Sequence, residues 1–133
     1  MSVQENIELV RRGFDAFIAG DMVWLNEHLH ENIVWHVPGH SPLSGTYQGR
    51  EEVLGFFARS VSMALPEFDI HDVVGSEEHT VVLTNIVWRR QDNGESFDDR
   101  EVFVFHVDGD QAIEVWIFSE DQSGFDAFIA GAA

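Results

Sequence analysis

The sequence predicts an α+β fold in a single domain, with helices leading and a meandering sheet following. Up to Pro66 the apolar residues recur mostly at helical spacing, and beyond it the period falls to 2 for roughly fifty residues. Turn chemistry divides that second half at Gly75-Ser76, Asn93-Gly94 and Asp108-Gly109, each a hairpin signal. A chain of 133 residues has the usual length of one domain, so residues 1–133 are read as one unit with a real core and room for one pocket.

Ser2 followed by Glu5 makes a capping box, and Ile7, Val10, Phe14, Phe17 and Ile18 then mark one face of a helix over about residues 3–19. Gly20 stops it. Asp21 caps a short second helix with Met22, Leu25 and Leu29 as its apolar stripe. Residues 33–37 read as a strand, a Pro- and Gly-rich loop follows, and Val53, Phe56, Phe57, Val61, Ala64 and Leu65 mark a third helix ending near Pro66. Four strands are then expected at about 67–75, 79–90, 97–107 and 111–119.

Gly-Phe-Asp-Ala-Phe-Ile-Ala-Gly stands at 13–20 and again at 124–131. The flanks differ, so the repeat does not signal a duplicated domain. Each copy is a short amphipathic turn, and Phe125, Phe128 and Ile129 of the second should dock a terminal helix onto the domain.

Seven Arg and no Lys face 24 acidic residues, a net charge of −17 that repels phosphate backbones and anionic membranes. Nucleic acid is not expected as a partner. Without cysteine, disulfides and thiolate chemistry are excluded, and no stretch reads as a membrane span or leader, so a cytoplasmic protein is expected.

The window richest in chemistry runs from Val34 to Arg50, where a strand hands over to a helix through a loop carrying His36, His40, Ser41, Ser44, Thr46 and Tyr47. Metal is not expected there. His28 and His30 are two apart on or beside a helix and share no face, and the His36-x3-His40 spacing lies in a loop. No phosphate-binding glycine loop and no serine elbow is present.

The element order, together with Ala19-Gly20-Asp21, Trp35-His36-Val37-Pro38-Gly39, Leu43-Ser44-Gly45, Gly49-Arg50-Glu51 and Glu114-Val115-Trp116, resembles the nuclear transport factor 2-like superfamily and its SnoaL-like and ketosteroid-isomerase-like members. The resemblance spans essentially the whole chain. It implies a cone-shaped α+β barrel of order α-α-β-α-β-β-β-β-α, with three helices packed in a strongly curved mixed sheet around an apolar cavity. It also implies that His36 holds the place of the isomerases' general base, that Gly13 falls near their tyrosine, and that Ile86, Trp88 and Phe118 stand where limonene epoxide hydrolases carry their polar set. The fold identifies a reaction poorly, because unrelated chemistries share it.

His36 is the leading candidate for acid or base work, since imidazole titrates near neutrality, and it is expected to line the cavity. Glu114 shares a face of the last long strand with Trp116 and Phe118; if that face lines the cavity, burial would suit Glu114 to acid-base work. Trp116, Phe118 and Trp88 are candidate ligand contacts, Tyr47 a hydrogen-bond donor at the mouth or a staple of the third helix, and His40 part of a lid. Trp35 points opposite to His36, so only one of them reaches the cavity. Two functions remain open: cofactor-independent isomerase, cyclase or lyase chemistry on an apolar carbonyl or polyketide-like compound, and a non-catalytic ligand-binding or dimerisation module. A small apolar ligand is the expected partner in both. The sheet strands are apolar on both faces, which predicts a homodimer through the outer one.

Overall fold

The computed structural model describes residues 2–132. Helix α1 (Val3–Ala19) starts with the capping box closed in both directions, Ser2 Oγ accepting from the Glu5 N–H and the Ser2 N–H donating to the Glu5 carboxylate, both at 3.1 Å. Gly20 ends it at φ 70°, a left-handed conformation that costs glycine little. Helix α2 (Met22–His28) is capped by Asp21, which accepts from the Trp24 N–H, and strand β1 (Leu29–Val37) follows without a connecting loop.

Three boundaries differ from the sequence reading, and the first is that Leu29, read as part of the second helix, opens β1 four residues ahead of the expected residue 33. Residues Gly45–Gln48, read as loop, form a short edge strand β2 paired antiparallel to β1, with His36 opposite Thr46. Helix α3 (Arg50–Met63) stops short of Pro66, and β3 (Ala64–Gly75) begins at once. The proline explains both sides of that switch. Its ring drives Leu65 out of the helical region, and a strand can hold a proline at an edge, where one ladder side is free.

Strands β4 (His79–Arg90), β5 (Ser96–Asp108) and β6 (Gln111–Ser119) complete the antiparallel meander, and β6 pairs parallel with β1. The sheet is therefore mixed and six-stranded, in the order β2-β1-β6-β5-β4-β3. It curves around the helices as the cone-shaped α+β class requires. Phe14 of α1 meets Phe68 and Phe103 edge-on at 5.2 Å, and Trp35 meets Phe57 of α3 in the same way at 5.0 Å.

Helix α4 (Gln122–Ala130) carries the repeated octapeptide back onto the sheet, with Phe125 against Trp88 and Phe128 stacked on Phe97. The two copies are used differently. Ile129 is fully buried, whereas its counterpart Ile18, expected on the core face of α1, is 63% exposed. The octapeptide is thus a reusable amphipathic turn whose Phe anchors are fixed and whose isoleucine adapts to its surroundings. Among the described residues, no helix is long and apolar enough to cross a membrane.

Candidate functional site: a carboxyl-bearing aromatic cavity

Between the concave sheet face and the helices lies a cavity of about 130 Å³. Its wall is almost wholly apolar, built from aromatic side chains such as Phe14, Trp35, Phe57, Phe103 and Phe105. Among the described residues, Glu101 is the one carboxyl group on it. Alternation along β5 aims Phe97, Asp99, Glu101, Phe103, Phe105 and Val107 inward, so two acids share the parity of the core.

Glu101 is 5% exposed and Asp99 3%. Trp88, on the neighbouring strand β4, donates its indole N–H to Glu101 Oε2 at 2.8 Å. Ser119, at the end of β6, donates its hydroxyl to Asp99 Oδ2 at 2.5 Å. Burial pushes the Glu101 carboxyl up to about 8, the Trp88 hydrogen bond pulls it down, and the neighbouring Asp99 carboxylate raises it again. Glu101 therefore keeps its proton at neutral pH. With Oε2 taken by Trp88, that proton belongs on Oε1. Asp99 Oδ1 is buried without a hydrogen-bond partner among the described residues, and the charge of that carboxylate helps to hold the proton on Glu101.

The geometry redistributes the residues that the sequence suggested. Trp88 lines the cavity. His36 does not: it is Trp35 and Val37 that face inward from β1, and His36 lies on the outer face of the sheet. Parallel pairing sets His36 beside Trp116 of β6, with the rings stacked at 5.6 Å, and the His36 Nε2–H donates to Glu114 Oε2 at 2.7 Å. Glu114, Trp116 and Phe118 thus share the outer face, with Phe118 55% exposed, and β6 sends Ile117 to the cavity instead. The expectation that His36 lines the cavity is overturned, because β1 places its bulkiest apolar side chain, Trp35, in the core and the histidine beside it on the opposite face.

Tyr47 donates to the Leu43 carbonyl at 2.7 Å and packs on Phe56, so it staples the β1–β2 connection onto α3. His40 is held by its backbone: its N–H donates to Asp126 Oδ2 of α4 at 2.8 Å. Gly39 has φ 90°, and a Cβ there would lie 2.3 Å from the Gln122 amide and 2.4 Å from the Asp126 carboxylate. The loop is latched to α4, and Pro38, Leu43 and Gln122 close that end of the cavity. Among the described residues, no three His, Asp or Glu side chains converge as a metal-holding group.

The family described as SnoaL-like domain matches residues 10–115. An uncharacterised protein of Mycobacterium tuberculosis is 25% identical over 132 residues, covering 98% of this chain and 100% of that one. An NTF2-like protein from Burkholderia xenovorans superposes with a TM-score of 0.86 at 25% identity, over 99% of this chain and 98% of the other. A protein from a soil-derived mobile gene cassette gives 0.85 at 28% identity, covering 95% and 97%. A putative SnoaL-like polyketide cyclase from Jannaschia gives 0.80 at 19% identity, covering 96% and 94%, a likeness of fold alone.

Proposed function

The chain belongs to the SnoaL-like domain family, and from that premise we propose that it performs cofactor-independent acid-base chemistry on an apolar carbonyl compound held in the cavity, with Glu101 as the acid. One observation carries the reading: a carboxyl group that holds its proton at neutral pH sits on an otherwise apolar, aromatic wall. A neutral carboxylic acid there is a hydrogen-bond donor aimed into a medium of low dielectric, where such a bond counts for more than in water. As a bound carbonyl turns toward its enol, Glu101 Oε1 gives its proton to the carbonyl oxygen and the carboxylate so formed takes the proton released from the α-carbon, so that the enol forms and the acid is restored. Trp88 stays on Oε2 throughout and steadies the carboxylate left behind.

The test is hydrogen-deuterium exchange at the α-carbon of small ketones in heavy water, followed by NMR. The wild-type protein should accelerate exchange, and Glu101→Gln, which keeps shape and loses the acid, should lower the rate by about 100-fold or more. Equal rates for the two proteins would refute the assignment. Binding without any exchange would make the molecule a carrier of the same ligands.

The homodimer is the second part of the proposal. The outer face offers Trp116, Phe118, Val81, Val102 and Val104, apolar groups only half covered or exposed in one chain. Its acidic residues Glu67, Asp69 and Asp72 lie on the edge strand β3 and Asp98 lies near the start of β5, while Glu114 nearer the middle is held by His36. A neutral centre with charged margins suits a two-fold contact with a second copy.

A further inference from the structure

The cavity is long for its volume. Glu101 and Val107 line the same space, and six residues of strand separate them, a span of roughly 20 Å. Strand β6 says the same: Ala112 lines one end and Ser119 the other. Yet the free space is about 130 Å³, well below the roughly 300–1,000 Å³ of ordinary small-molecule pockets and close to the roughly 150 Å³ that holds one benzene. That little volume drawn out over that length is a slender passage. A fused ring system is too wide for it.

The ends differ in chemistry. At one end stand Glu101, Ser119 and Gln122, with hydrogen-bonding groups; at the other stand Leu25, Leu29, Val107 and Ala112. His28 borders the apolar end, but its ring is stacked on Trp24 at 3.9 Å and its Nδ1–H donates to the Trp24 carbonyl at 2.7 Å. Among the described residues no Arg lines the cavity, so an anionic head would meet an acid and no cation.

We infer that the ligand is an unbranched aliphatic carbonyl compound, neutral at its head, with its oxygen at Glu101 and its chain laid along β5 toward Ala112. The inference rests on the proposal that Glu101 receives the oxygen, and it adds the shape of the hydrocarbon beyond that oxygen. Each methylene buried along the wall should tighten binding about fourfold until the passage is filled, after which the gain ceases. The rigid walls set that limit. Aromatic side chains anchored on strands and helices do not retreat to admit a wider body.

The measurement is quenching of tryptophan fluorescence, since Trp24, Trp35 and Trp88 all line the passage. Straight-chain 2-ketones from propanone to tetradecanone should show the stepwise gain and then a plateau, and a fused tricyclic ketone should bind at least about tenfold more weakly than the best chain. Ala112→Phe, which fills the apolar end, should move the plateau to shorter chains. If that variant does not fold, the length series on the wild-type protein still decides. Equal affinities along the series, or tighter binding of the fused rings, would overturn the inference. Glu101→Leu, which leaves no donor at that place, separates the two proposals: loss of the preference for ketone over the corresponding alkane with the methylene gain intact supports both, and an unchanged preference with that gain intact supports the passage and refutes Glu101 as the group that receives the oxygen.

Discussion

Trp88 of β4 pairs in register with Phe97, yet its indole reaches diagonally along β5 so that its N–H ends on the carboxyl of Glu101 at 2.8 Å inside the core. Both partners are less than one-tenth exposed. The pair gives a buried tryptophan its required acceptor and fixes which oxygen of Glu101 is free to carry a proton.

The first prediction concerns stability and pH. In the unfolded chain Glu101 ionises near 4.5, and in the fold it does so at about 8, so the folded state binds the proton more tightly. Stability is highest below the lower value and falls as pH rises through the interval, by an amount on the order of a few kcal/mol. Urea unfolding at steps from pH 5 to 9 should show this slope, and Glu101→Gln should flatten it.

Trp88→Phe leaves the aromatic wall nearly intact and removes the donor. Burial and Asp99 then act on Glu101 without the opposing hydrogen bond, so its carboxyl should titrate still higher. The fold should lose about 1–2 kcal/mol, read from the shift of the urea midpoint.

Much of this architecture was legible in the residues. The switch of period at Pro66 and the turn pairs of the meander located α1 and β3 to β6 within a few residues, because each signal comes from a local constraint on the backbone. The strand at Gly45–Gln48 was not legible, since its partner is β1 and pairing is a tertiary fact. The site was harder for one physical reason. On β5 both alternating sets are apolar, Phe103 and Phe105 on one side and Val102 and Val104 on the other, so alternation could not say which face was inside. Glu101 was therefore no more visible than Glu114. The clue available was size: the phenylalanines, with the bulkier side chains, occupy the core.

Helix α4 should prove integral to stability. Phe125 is buried against Trp88 and Ile129 is fully enclosed, so Phe125→Ala should cost about 3 kcal/mol or more, seen as a lower melting temperature. Ile18→Ala, in the matching place of the first copy, should cost far less because that side chain is exposed.

The outer face yields a prediction about mass. Light scattering of the wild-type protein should give twice 15.1 kDa, and Phe118→Glu, which adds a charge to the centre of the apolar face, should return it to the single-chain value without lowering the melting temperature of the monomer. A wild-type mass of one chain at micromolar concentration would refute the dimer.

A proton held by Glu101 at neutral pH is the centre of the proposed chemistry, and carbon-13 NMR of its carboxyl carbon observes that proton directly. With the resonance assigned by its disappearance in Glu101→Gln, the titration midpoint should fall at about 8. A midpoint near 4.5, the ordinary value for a glutamate, would mean that Glu101 is ionised at neutral pH and would contradict its assignment as the acid of the cavity.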